Sequence, residues 1–346
     1  MDPLTDIDPA VPGAWGLDPA TVRPLGTGLI NRTFLARAPD GTPRVLQQLN
    51  PMFPDAVNED IEAVTAHLAA RGLLTPRLLR TRDGRLSVPG AGGGWRAMTY
   101  IPGRVLDAVG SPAEAAGAGR LLARFHRALD DLEHEFRHRR PPVHEPARHL
   151  AALAAALAAH PEHRLYDAAR TLAAQIFAAA DELPPLPPTP ARIVHGDPKI
   201  SNLVFAPDRP EALCMLDLDT LGRMPLPFEL GDAMRSWCSV SSEDEPEGQF
   251  CAARFAAAVG GYAGEAAGWW SGSERSAVLP ATAAIQVELA ARFCADSLNE
   301  SYFGWNPARF PGRGEHNLAR AQGQLALHRA LRAQWELLAA AVAGTG

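Results

Sequence analysis

Residues 193–205 read Ile-Val-His-Gly-Asp-Pro-Lys-Ile-Ser-Asn-Leu-Val-Phe, and residues 212–220 read Ala-Leu-Cys-Met-Leu-Asp-Leu-Asp-Thr. Short apolar runs, each of strand length, flank a loop with a fixed order of polar side chains. His195 is followed by Asp197 two residues on, Lys199 two further, and Asn202 five after the aspartate. The next apolar run, 213–216, ends at a second carboxylate, Asp217.

This is the spacing of a kinase catalytic loop followed by its metal-binding aspartate. Phosphoryl transfer needs a carboxylate to orient the attacking hydroxyl and take its proton. It also needs oxygen ligands for Mg²⁺, which neutralises charge on the triphosphate. Asp197 suits the first task, and Asn202 and Asp217 suit the second. Lys199 is placed to set a point charge on the transferring γ-phosphate. The competing reading takes the three as separate loop caps, since Asp and Asn favour such positions anyway. His195 reads as a structural residue that holds the loop through hydrogen bonds.

Composition sharpens the role of the lysine. Among the 33 basic residues only Lys199 is a lysine. A compact ammonium has survived where every other positive site has become arginine, and the two groups are not interchangeable. The same count excludes a Walker A phosphate loop, whose lysine follows a glycine, whereas Lys199 sits between Pro198 and Ile200. A formal net charge of −6 and a pI near 6.0 disfavour nucleic acid or an anionic membrane as partner and leave a small molecule as the expected one. Four scattered cysteines form no CxxC pair, so reduced, mostly buried thiols are expected. With no basic, apolar leader in residues 1–10 and no segment approaching the roughly 20 apolar residues of a membrane span, a cytoplasmic protein is expected.

Residues 22–50 alternate as a β-meander with turns at residues 26–28 and at Asp40-Gly41. Asn58 is a candidate cap for a helix with Ile61, Val64 and Leu68 on one face and Gly72 as its stop. A hairpin turning at Asp83-Gly84 and a strand over 95–101 follow, before Pro102-Gly103. Beyond that break the chain reads as helical, beginning at Ser111-Pro112, with the catalytic loop embedded. The expected fold is therefore α+β and protein-kinase-like. It has a β-rich nucleotide-binding lobe over 1–101 and a mainly helical lobe over 102–346 that carries catalytic and substrate residues.

The catalytic segments, with residues 26–34 (GTGLINRTF), 45–50 (VLQQLN), 231–235 (GDAMR), 292–303 (RFCADSLNESYF) and 316–322 (HNLARAQ), resemble the aminoglycoside phosphotransferase and choline kinase superfamily. The likeness is strongest to its N-acetylhexosamine 1-kinase branch and extends over most of the chain. It implies that Asp197 is the base, that Asn202 and Asp217 bind Mg²⁺, and that Arg292 and Tyr302 contact a sugar. It further implies an ATP-dependent kinase acting on a hydroxyl, for a hexosamine the anomeric one. Asp219, read as exposed beside the metal site, is a candidate for assisting substrate or metal, and Asp232 for holding the loop.

For the nucleotide, the candidates are Gly26, Thr27, Gly28, Asn31 and Arg32 in the first hairpin, Gln47 on the next strand, and Met98 and Tyr100 at the hinge. The run 90–94 reads as a flexible loop rather than a phosphate cradle. The N-terminal lobe has no lysine to bind phosphates, and Gln47 stands in its place, so Arg32, Arg44, Lys199 or backbone amides must supply those contacts. In the bland reading Arg292 pairs with Asp296, four residues on. Two alternatives stay open: a kinase for another alcohol, such as an aminoglycoside, choline, homoserine or methylthioribose, or a nucleotide-binding regulator without turnover.

Overall fold

A computed structural model describes residues 7–26, 30–138 and 143–345. Its first part is a short helix α1 (Ala10–Ala14) and a twisted antiparallel sheet. The strands are β1 (Asp18–Pro24), β2 (Arg32–Arg37), β3 (Pro43–Gln48), β4 (Leu78–Leu79), β5 (Ser87–Val88) and β6 (Trp95–Thr99), in the spatial order β1-β2-β3-β6-β4 with β5 also against β6. Register follows the alternation of side chains. Phe34 lies opposite Leu46 and Leu46 opposite Ala97, so all three point into one small core with Leu17 and Trp95.

Helix α2 (Val57–Ala70) packs beside this sheet through Ile61, Val64 and Leu68, each at most 2% exposed. The helix stops as expected at Gly72, whose φ of +77° admits the Gly72 N–H to Ala69 and Leu73 N–H to Leu68 bonds of a left-handed cap. Its start differs from expectation. Asn58 is not the cap; it sits inside the first turn, buried, and its amide donates to Asp55 at 3.0 Å.

After Pro102-Gly103 the short strand β7 (Arg104–Val105) already pairs with β9 (Leu203–Phe205), which in turn pairs with β10 (Ala212–Met215). A second ribbon joins β8 (Ala191–Val194) to β11 (Gly222–Pro225). Around these lie α3 (Pro112–Ala128), α4 (Pro146–Ala159), α5 (Tyr166–Asp181), α6 (Leu226–Cys238), α7 (Ala252–Ala266), α8 (Gly272–Ser276), α9 (Val278–Asn299), α10 (Arg313–Arg332) and α11 (Trp335–Ala343). Ser111 caps α3 as expected, accepting from the Glu114 N–H with Pro112 next in line. Helices α3 and α7 approach so closely that a Cβ on Gly119 would stand 2.1 Å from the Ala258 carbonyl oxygen.

The main core joins α2 to α3, α6 and α7 through Leu121, Phe125, Phe205, Phe255 and Trp237. Each such fully buried side chain contributes roughly 1.5 to 3 kcal/mol. A second core gathers α4, α5 and α10 around α9. Here one expectation fails: α9 is long and apolar enough to cross a membrane, with mean hydropathy 1.3, yet 89% of that window is buried within the protein. It is the central helix of the fold. All four cysteines are free thiols, and burial pushes Cys214 and Cys294 up to about 12, which suits inert packing groups. The result is an α+β, kinase-like arrangement with a sheet at one end and a mostly helical body.

Candidate functional site

Asp197 and its neighbours lie on the link between β8 and β9, where the two small ribbons meet. Gly196 makes the turn at φ +84°, and a Cβ there would lie 2.2 Å from the Thr220 carbonyl oxygen, so only glycine fits. The backbone before the turn is held from α6. Glu229, 1% exposed, accepts from the His195 N–H at 2.9 Å with one oxygen and from the Gly196 N–H at 3.0 Å with the other. From the same helix, Ser236 Oγ accepts from the Ile200 N–H at 3.2 Å, and Trp237 Nε1 donates to the Pro198 carbonyl at 2.8 Å.

His195 is the structural residue expected. Its Nε2 donates to the Leu216 carbonyl at 2.7 Å while Nδ1 accepts from the Asp197 N–H at 3.3 Å, which sets the neutral tautomer. Burial lowers its pKa, in keeping with an uncharged ring. Thr220 closes the turn by donating to the His195 carbonyl at 2.8 Å.

Within this frame the polar side chains converge. Lys199 Nζ lies 2.6 Å from Asp197 Oδ2, and Asn202 Nδ2 donates to the same oxygen at 3.1 Å and to the Asp197 carbonyl at 2.9 Å. Burial is the largest single influence and would lower the Lys199 pKa, but the charges of Asp197, Asp217 and Glu243 together hold the ammonium above its ordinary value. Because Asn202 spends its nitrogen on Asp197, its carbonyl oxygen is the end that can face a cation. The Leu216 N–H donates to the backbone carbonyl of Asn202, not to its side chain, at 2.7 Å, bringing Asp217 to the same edge. Asp217 adopts a left-handed conformation, φ 58° and ψ 58°, uncommon for a residue other than glycine. Its pKa is pushed up to about 7, first by burial and then by the negative charges of Asp219 and Asp197.

A half-buried carboxylate that resists losing its proton beside two more carboxylates suits a cation. Among the described residues, no group of three or more His, Cys, Asp or Glu side chains could hold a metal ion by itself. The donors present, one carboxylate and one amide oxygen, are the hard oxygen ligands that suit Mg²⁺, which usually completes its shell with water and substrate phosphates. Asn202 and Asp217 are the residues that would hold it.

Several expectations need correction. Asp219 is not exposed beside the metal site; it is 1% exposed, and both its oxygens bind the Arg96 guanidinium at 2.5 and 2.8 Å. Gln47 and Asn31 do not offer free side chains to a nucleotide. Gln47 accepts from Arg96 and donates to Thr33 at 3.1 Å, while Asn31 donates to Asp219 at 2.7 Å and accepts from the Asn50 N–H at 2.9 Å. The loop is held by Glu229 rather than by Asp232. Although burial opposes its charge, Asp232 is kept below its ordinary pKa by Arg235, 2.9 Å away.

Arg292 does not pair with Asp296. It lies 3.9 Å from Glu288 and 5.5 Å above the Phe303 ring, whereas Asp296 accepts from the backbone N–H groups of Ser301, Tyr302 and Phe303 and so folds that loop. Tyr302 is 62% exposed and set edge-on to Phe303. Arg32 is exposed and donates to Gln48 at 3.0 Å, and Arg44 donates to the Pro43 carbonyl at 3.2 Å. Glu62 faces Arg80 at 3.3 Å. Met98 is half-buried against the main core on β6, with Tyr100, also half-buried, just after the strand. Gly26 has the left-handed φ of +74° of a turn glycine, and Thr27 and Gly28 lie outside the described residues.

Reading the sequence missed Glu229, Ser236, Trp237 and Arg96. For the first three a signal existed: positions i, i+7 and i+8 of α6 share one face, and a carboxylate, a hydroxyl and an indole at that spacing just after the second strand pair are available to a loop.

Known structures share this fold. The amicoumacin kinase hAmiN, solved in complex with AMP-PNP, Ca²⁺ and Ami, superposes with a TM-score of 0.62 at 13% identity, covering 90% of this chain and 90% of that one. A microcompartment-associated aminopropanol kinase gives 0.62 at 15% identity over 93% of this chain and 95% of that one. A choline/ethanolamine kinase family protein from Mesorhizobium loti gives 0.55 at 21% identity over 93% and 92%. At these identities the likeness bears on the fold. The model of the phosphotransferase enzyme family, APH, matches residues 21–269, a span that includes Asp197, Lys199, Asn202 and Asp217. That is well over half of the chain, so the protein belongs to this family and is a small-molecule phosphotransferase with a hydroxyl group as acceptor.

Proposed function

We propose that the protein transfers the γ-phosphoryl group of ATP to a hydroxyl of a sugar, most specifically the anomeric hydroxyl of an N-acetylhexosamine. The observation that carries the phosphotransfer reading is the convergence of Asp197, Lys199, Asn202 and Asp217 on one edge of the β9–β10 pair. Asp197 orients the acceptor hydroxyl and takes its proton as the new oxygen–phosphorus bond forms. Lys199 faces the charge that gathers on the moving phosphoryl group. Asn202 and Asp217 are the residues that would hold Mg²⁺, which when bound would supply positive charge to neutralise the phosphate oxygens.

The sugar is supported by the resemblance of residues 292–303 to the hexosamine kinases and by the grouping of Arg292, Phe303 and Tyr302. Planar aromatic faces beside an arginine suit a ring with hydroxyl and amide substituents. A second reading, an amino alcohol, is favoured by Glu288. This fully buried carboxylate sits 3.0 Å from His144 and 3.9 Å from Arg292, and its Oε2 has no hydrogen-bond partner among the described residues.

One experiment separates the readings: incubation with ATP, Mg²⁺ and a panel of sugars and amino alcohols, following ADP and identifying products by phosphorus NMR. A sugar 1-phosphate as the preferred product supports the proposal. Preference for an amino alcohol moves the assignment to the second reading. Tight ATP binding with no acceptor-stimulated ADP release would leave only a nucleotide-binding regulator.

A further inference from the structure

The β-rich lobe holds no lysine, yet a cation lies at the centre of its inner face. Arg96, in the middle of β6, is 1% exposed. A guanidinium has five N–H donors, and the structure provides an acceptor for each. Nε donates to Gln47 Oε1 at 2.9 Å, and Nη2 donates to the same oxygen at 2.5 Å and to Asp219 Oδ2 at 2.8 Å. Nη1 donates to Asp219 Oδ1 at 2.5 Å and to Asn58 Oδ1 at 3.4 Å. The partners come from β3, from α2 and from the turn Leu218–Thr220, which follows directly on Asp217. Asn31, just before β2, adds its own bond to Asp219.

With every donor occupied, Arg96 is not a phosphate ligand in waiting. Its fork instead joins three elements of the sheet lobe to the segment that carries the metal-site aspartate. We infer that Arg96 is a positioning residue. Through Asp219 it fixes the turn after Asp217 against the sheet lobe and thereby sets the cation site relative to the bound nucleotide. In kinases with a strand lysine, a lysine–glutamate pair inside the smaller lobe must be in place for activity. Here the corresponding strand position is Gln47, and the ion pair spans the two lobes. Only a planar, bidentate group can do this; an ammonium offers three donors from a single point. The inference rests on the phosphotransfer reading of the site.

The test uses the full chain and needs no acceptor. Thermal melting is recorded without nucleotide, with ATP in the presence of a chelator, and with ATP over a Mg²⁺ titration, for the wild type, Arg96→Lys and the charge-neutral double variant Arg96→Met/Asp219→Asn. The expected result is that the double variant keeps the shift given by ATP alone but needs at least tenfold more Mg²⁺ for half of the metal-dependent increment. Arg96→Lys, which keeps the charge and loses the fork, moves the same way by at least threefold, and it serves as the test should the double variant not fold. A variant that melts lower but responds to ATP and Mg²⁺ as the wild type does would show a purely structural pair and overturn the inference. If the wild type itself shows no nucleotide-dependent shift, the phosphotransfer reading falls and this inference falls with it.

Discussion

Glu229 reaches from α6 to the backbone N–H of Gly196 at 3.0 Å, and its second oxygen takes the adjacent N–H of His195. Two consecutive amides of the catalytic loop therefore depend on one buried carboxylate. An unsatisfied buried donor costs roughly 1 to 3 kcal/mol, so Glu229→Ala is expected to destabilise the protein by about 2 to 5 kcal/mol. Glu229→Gln is expected to be nearly as harmful, because its amide nitrogen would face an N–H in place of an acceptor. Equilibrium denaturation of both variants checks this, and a Gln variant as stable as the wild type would contradict it.

Asp217 supplies a pH dependence. Its folded pKa of about 7 stands above the ordinary carboxylate value of 3.8, so if Asp217 is a cation ligand, as proposed, a proton competes with the cation below about pH 7. The Mg²⁺ concentration for half-maximal activity should rise as pH falls below 7, by up to about tenfold per unit, and level off above it. The sign for stability is opposite to that of a salt-bridged aspartate. Burial disfavours the charge in the fold, so the metal-free wild type should lose stability relative to Asp217→Asn as pH rises from about 4 to about 7. Denaturation of both proteins across that range reads the difference.

Much of the site was legible because its spacing is local. His195, Asp197, Lys199 and Asn202 fall within eight residues, and the strand that delivers Asp217 is an uninterrupted apolar run. What sequence reading could not reach is long-range. Arg96 and Asp219 are 123 residues apart, and an arginine in a strand reads as an outward-facing charge until its partners are known. The same limit applies to Asp219, whose neighbour at 217 made exposure plausible, and to Asn58, whose type suits a cap but whose amide is used inside the helix. Helix α9 was underrated as an apolar segment because Gln286, Glu288, Arg292 and Asp296 interrupt it; all but Arg292 are fully or almost fully buried.

Arg292 tests the acceptor end. It is held loosely, 3.9 Å from Glu288, so its guanidinium has capacity for a ligand. Hydrogen bonds to a charged group are worth roughly 1.5 to 3 kcal/mol, which corresponds to about tenfold or more in affinity. Arg292→Ala should therefore raise the acceptor KM by at least about tenfold while leaving the KM for MgATP within about twofold. Steady-state kinetics with each substrate varied in turn would show the split, and an unchanged acceptor KM would remove Arg292 from the site.

Acceptor-dependent ADP release by the wild type and by Asp197→Asn, measured together with ATP affinity, bears most directly on the account. Turnover should fall by roughly 100-fold or more, as expected for loss of a positioned base, with ATP affinity changed less than about twofold. An Asp197→Asn enzyme that retained most of its acceptor-dependent turnover would contradict the assignment of this carboxylate and the catalytic centre built around it.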